Sequence, residues 1–310
     1  MNQLIGHQAI QQQLHSRVAT GKLPHALLFH GPQGVGKHTC ARQLIAHLLC
    51  GGTATPDLSA NTGSPLFPVL QAGSQPGLFT LTPTDRKTIS VEATRHTIQQ
   101  LALSAETWRV LVIDAVEDLT SSAANALLKT LEEPLPATLM ILLSHQPWRL
   151  LPTLRSRCQT YAFNPLTDQV GQAVLANLAA APDGPSLASL QQAWPFAGGR
   201  PGYALQLAQL PPAALAAWQK FCQQPQGWHP TALHTLAQTL HELVPTESIV
   251  RDWVLGFIAQ QARQDQASAR WATLYQHLAR DFQTRQTYNI NRPLLLEHSL
   301  LSIVQTYQNQ

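Results

Sequence analysis

Charge is what this sequence has least of. Asp, Glu, Lys and Arg make up 12% of its 310 residues, about half the usual quarter; Gln, Ala, Leu and Pro fill the gap. The formal net charge of +3 is too small to argue for a nucleic-acid partner. The basic residues are scattered, with no run and no interleaved aromatics of the kind that track a single strand. Cysteine is also sparse. Cys40, Cys50, Cys158 and Cys222 lie far apart with no C-x-x-C pair, which supports neither a disulfide framework nor a zinc site. Long apolar runs are missing: no stretch approaches the roughly 18 consecutive apolar residues of a membrane helix, and the N-terminus has no signal-peptide pattern. These absences predict a reduced, soluble, cytoplasmic protein. The hydrophobic content of 44% still allows a sizeable core, and the length suits two or three domains.

The stretch that carries chemistry is Gly31-Pro-Gln-Gly-Val-Gly-Lys-His-Thr39. The apolar run Ala26–Phe29 before it reads as a short buried strand. After it, Leu44, Ile45, Leu48 and Leu49 fall at helical spacing. Strand, Gly-rich loop and helix form the setting of a phosphate-binding loop. Gly31, Gly34 and Gly36 free the backbone, so that its N–H groups and the helix N-terminus can face phosphate oxygens. Lys37 would supply charge for the outer phosphates. The pattern matches G-x-x-x-x-G-K and then departs: the Ser or Thr that would bind Mg²⁺ is His38, and Thr39 comes one place late. The same residues also suit a strand-to-helix turn that binds nothing.

Elsewhere the chain alternates. Met1–Gly21 reads as a helix on Ile10, Leu14 and Val18. Residues 51–77, rich in Gly, Pro, Ser and Thr, read as a long loop or partly disordered insertion. Leu78–Leu81 reads as a strand, Pro83–Asp85 as a turn, and Ile89 onward as a helix with Ile98, Leu101 and Leu103 apolar. Trp108–Asp114 is a continuous apolar run ending in a carboxylate, which suits a parallel strand covered on both faces. An Asp at that end lies where doubly wound sheets place ligands; it equally suits a turn or a helix cap. Thr120 or Ser121 would cap a helix with Ala124, Leu127, Leu128 and Leu131 on one face. Thr138–Leu143 is another buried strand, and the segment from Leu150 to Cys158 leads into Tyr161–Phe163. This alternation predicts a parallel sheet. After Pro165 the pattern is helical throughout, with Gly198–Gly202 as a turn.

Two segments, Ser122-Ala-Ala-Asn-Ala-Leu-Leu-Lys-Thr-Leu-Glu-Glu-Pro134 and Leu154-Arg-Ser-Arg-Cys158, resemble signature stretches of the bacterial clamp-loader AAA+ family, most of all those of its delta-prime subunits. His25–Phe29, Leu70–Ser74, Gly199–Leu205 and Asn289–Leu296 are similar too and occur in the right order. The likeness covers most of the chain, and least of all residues 51–69 and 211–285.

The resemblance implies an α/β P-loop AAA+ domain over 1–165, a small helical lid over 166–210 and an all-α collar that oligomerises over 211–310. It implies a largely non-hydrolysing member of a hetero-pentameric ring with gamma/tau motor subunits and a delta subunit. That ring loads a sliding clamp onto primer-template DNA. The chain would then be a subunit of a DNA-directed DNA polymerase holoenzyme without ATPase or polymerase activity of its own. Arg157 would be an arginine finger acting in trans on a neighbour's ATP; without the family, it reads as a surface arginine. Asp114 would be the Walker B carboxylate of a degenerate nucleotide site with Gly31, Gly34, Gly36, Lys37, His38 and Thr39. Ala115 replaces the water-activating Glu, and Glu117 is not assumed to substitute. Tyr203 stands where motors carry a nucleotide-sensing Arg, Arg200 is displaced from it, and Ser144 falls near the sensor position after the fourth strand. No cofactor is required; ATP or ADP bound without hydrolysis stays open. Many relatives carry a four-cysteine zinc module after the P-loop helix, but Cys50 alone remains of it, so no structural zinc is expected. The competing reading is an active DNA-dependent ATPase of the gamma/tau type.

Overall fold

The computed structural model describes residues 4–52, 57–73, 77–83, 88–103, 108–264, 268–288 and 291–308, with backbone only at 268 and 285–288. Two compact units divide the chain, Met1–Ala204 and Leu205–Gln310.

The first unit is built on five strands: β1 (Ala26–His30), β2 (Leu78–Leu81), β3 (Arg109–Ile113), β4 (Thr138–Ser144) and β5 (Gln159–Ala162). Their order is β2-β3-β4-β1-β5, and every pairing is parallel. The alternation of strand residues explains why the central strands read as unbroken apolar runs. Leu27, Phe29, Val110, Val112, Leu139, Ile141 and Leu143 enter one core. Ala26, Leu28, Leu111, Ile113, Met140 and Leu142 enter the other. A sheet covered on both faces needs apolar residues at every position.

Helices α1 (Gln8–Ala19), α2 (Lys37–Cys50), α4 (Val91–Leu103) and α5 (Ser121–Glu132) lie in the expected segments, but α1 starts only at Gln8, with Leu4–His7 outside it, and Ile89 forms a bridge to Leu119 ahead of α4. Thr120 caps α5, its Oγ1 accepting from the Ala123 amide at 3.2 Å. Within 51–77 the structure differs from the expected loop by a short helix, α3 (Leu66–Gln71), which buries Leu70. Leu103, read as one of the helix's apolar positions, ends α4 and is 85% exposed. The turn expected at Thr84 and Asp85 lies outside the described residues. The unit continues with α6 (Pro152–Arg155), α7 (Asp168–Ala179) and α8 (Leu187–Ala197). Helix α9 (Pro201–Ala208) begins within the stretch expected as a turn.

The second unit is helical: α10 (Pro212–Gln223), α11 (Pro230–Leu243), α12 (Glu247–Gln264), α13 (Ser268–Tyr288) and α14 (Arg292–Gln308). Trp218 stacks on Trp253 with ring centres 5.6 Å apart, and Val254, Phe257 and Ile258 are buried beside Trp253 on α12. Arg292 donates to the carbonyls of Val244 and Pro245, which fixes the start of α14 against the end of α11.

Candidate nucleotide site and exposed arginine

The loop between β1 and α2 is anchored by its own glycines. Gly31 donates to the Ser144 carbonyl at 3.2 Å. A Cβ on Gly31, whose φ is +143°, would stand 2.0 Å from the Phe163 carbonyl oxygen. Gly36, at φ +107°, opens α2. The Gly34 carbonyl accepts from the Gly202 amide at 2.8 Å, so the first turn of α9 is hydrogen-bonded to the loop. On another side, His7 Nε2 lies 2.9 Å from the Val35 carbonyl and donates to it, and the Leu4 amide donates to Gln43 Oε1 at 3.0 Å.

Lys37 is 3% exposed. Its ammonium donates to the carbonyls of Gly31 at 2.6 Å and Pro32 at 2.7 Å. Burial lowers its pKa to about 8, against the pull of the nearby Glu117 and Asp114 carboxylates. The charge that would meet outer phosphates is thus held by the loop's own oxygens. Burial also lowers the pKa of His38, with Asp114 acting in the opposite direction. Thr39 lies in the first turn of α2, partly buried.

Asp114 directly follows β3, its amide donating to the Leu81 carbonyl at 2.9 Å. Ala115, at φ +57°, turns the chain into a 3-10 turn over Val116–Asp118. That turn swings Glu117 back. One Glu117 oxygen accepts from the His145 amide at 2.8 Å; the other is buried without a hydrogen-bond partner. Of the two carboxylates acting on Lys37, Glu117 is the stronger. The structure therefore brings Lys37, His38, Asp114 and the loop glycines together and adds Glu117 and His145, which the sequence reading had left outside the site. The signal for Glu117 was a carboxylate one short turn past a strand end. Spacing alone does not say whether such a turn points in or out. Ser144, buried at the end of β4, uses its hydroxyl to accept from the Gln146 amide at 3.2 Å.

Arg200 lies over the Tyr203 ring, 4.0 Å from its centre, and donates to the Ala197 carbonyl at 2.8 Å. It is occupied locally, and Tyr203 is buried.

Arg157 follows α6. Its guanidinium pairs with Glu132 Oε1 at 2.5 Å and donates to the Thr153 carbonyl at 2.9 Å. About a third of the Arg157 side chain and half of that of Glu132 are exposed, so water and salt screen the pair; such pairs contribute about 0–1 kcal/mol. The arginine is held without being committed.

A family model described as "DNA polymerase III, delta subunit" matches residues 6–167, just over half of the chain. DNA polymerase III subunit delta' of Escherichia coli is 32% identical over 291 residues, 92% of this chain and 79% of that relative. The chain belongs to the delta-prime family of DNA polymerase III. Another delta-prime subunit, from Pseudomonas aeruginosa, is 38% identical over 49% of this chain and 45% of its own length; the match spans less than half of that relative. DNA polymerase III subunit gamma/tau of Mycobacterium tuberculosis is 31% identical over 57% of this chain and 30% of that relative. Among the described residues of this delta-prime family member, no helix is long and apolar enough to cross a membrane.

Proposed function

We propose that this chain is a largely non-hydrolysing member of the DNA polymerase III clamp loader, acting in the cytoplasm and helping to place the sliding clamp on primer-template DNA. Its partners are gamma/tau motor subunits and a delta subunit in a hetero-pentameric ring. Residues 1–165, 166–210 and 211–310 act as nucleotide-type domain, lid and oligomerising collar. The observation that carries this reading is the turn after β3: Ala115, directly after Asp114, opens it in the place of a water-activating carboxylate. Such a site requires no cofactor and retains ATP or ADP, at most, without hydrolysing it.

Arg157 acts outward. A planar guanidinium placed against a transferring γ-phosphoryl group neutralises charge that develops there. Ser156-Arg157-Cys158 presents a partly exposed arginine, held by one screened ion pair and one carbonyl, that can exchange partners when a neighbour's phosphate arrives. The test is ATP hydrolysis by the reconstituted loader. With Arg157→Ala the chain should stay folded and turnover at the neighbour's site it serves should fall by about 10³-fold or more, as for other fingers. Unchanged ATPase and clamp loading in the variant complex would sink the finger.

One observation favours the alternative of an active motor. Glu117 brings an unpartnered buried oxygen into the site, close enough to influence Lys37. Steady turnover by the isolated chain, abolished by Lys37→Ala and by Glu117→Gln, would establish that reading. Absence of turnover with and without primed DNA supports the non-hydrolysing one.

A further inference from the structure

Three side chains converge between the last two helices of the second unit. His277 and Asp281 stand four residues apart on α13, and so on one face of that helix. His298 reaches them from α14. His277 Nδ1 is 3.2 Å from Asp281 Oδ2, and His298 Nε2 is 3.9 Å from the same oxygen. All three donor atoms lie within 4.8 Å of one another. We infer that His277, Asp281 and His298 form a binding site for a first-row divalent cation such as Zn²⁺, clipping α13 to α14.

Distance and ligand chemistry carry the inference. Two donors about 2.05 Å from a tetrahedral metal stand about 3.4 Å apart, and the two separations to Asp281 fall on either side of that value. A hydrogen bond accounts for the approach of His277 to Asp281; His298, at 3.9 Å, is beyond hydrogen-bond reach of that carboxylate and meets the His277 ring edge-on, with centres 6.2 Å apart. Two imidazoles and one carboxylate are the donor set that Zn²⁺, Ni²⁺ and Co²⁺ accept, with remaining positions left to water. Both histidines are exposed, so small ring rotations can close the third separation without moving backbone. Openness to water also makes the site exchangeable: it fills when metal is supplied and need not hold metal through purification. It is unrelated to the four-cysteine module expected to be missing at Cys50.

The full-length chain, treated with EDTA and desalted, is titrated with Co²⁺ while visible absorption is followed, and with Zn²⁺ by calorimetry. One saturable equivalent is expected, with a rise in Tm on adding Zn²⁺, because an ion that binds only the folded chain stabilises it. His277→Gln and His298→Gln should each weaken binding by at least the ~10–100-fold that losing a supporting partner costs a metal site, and should remove the Tm response. Both histidines are exposed, so both variants should fold. Failure of the wild type to bind saturably, or binding unchanged in His298→Gln, would overturn the assignment.

Discussion

Lys37 is the residue whose setting decides most about the first unit. Its ammonium is buried, and two backbone carbonyls do not replace water fully, so its pKa falls to about 8 from 10.5. Between those two values the unfolded chain binds more protons than the folded one. Stability contributed by this group therefore rises with pH across that window and is lowest below about 8, where the charged form must be buried. Lys37→Met cannot titrate. Measured by denaturant unfolding at pH 7 and pH 10, the wild type should gain stability relative to Lys37→Met as pH rises; a constant difference would show that the lysine titrates normally. Burial also shields the cysteines: it pushes the Cys40 and Cys222 thiols up to about 12 and Cys158 to about 11. The thiol beside Arg157 is accordingly a poor nucleophile at neutral pH.

Helix α5 combines locally readable features with one contact made at long range in the chain. Thr120 caps it, Ala124, Leu127 and Leu131 bury one face, and its last residue, Glu132, meets Arg157. The start of the helix and its apolar face were legible, because capping and i, i+3, i+4, i+7 spacing are local patterns. Leu128, read on the same face, is only partly buried. The Glu132–Arg157 pair was not legible, since it joins two segments across the whole of β4. Thr120→Ala should cost about 1 kcal/mol by loss of the cap, read as a lowered midpoint of denaturant unfolding with unchanged slope. A loss below about 0.5 kcal/mol would mean that water replaces the hydroxyl.

At the scale of the molecule, the first unit rests on strands whose side chains are spent on two cores at once. Ile141 in β4 is fully buried at the centre of the sheet, flanked by Val112 and Leu27 in register. Ile141→Ala should cost about 2–5 kcal/mol through lost burial and the cavity left behind, measured by denaturant unfolding. A cost under about 1 kcal/mol would mean that the sheet collapses freely around the gap. Among its described residues the second unit has no strand; Trp218 stacks on Trp253, Trp271 meets Tyr307 edge-on, and Arg292 ties α14 to the end of α11.

What the sequence determined by itself was what short-range chemistry dictates: the apolar runs of β1, β3 and β4, the glycines of the Gly31–Gly36 loop, the capped helix α5 and the helical second half. Each needs only neighbours a few residues away, or a repeat that one helix face or one strand imposes. Tertiary structure decided the rest. It turned Lys37 onto its own loop, folded Glu117 in beside it, tied Gly34 to Gly202 and brought His298 to His277 and Asp281. Those outcomes depend on where whole elements pack, and packing is set by burial summed over many residues rather than by any local motif.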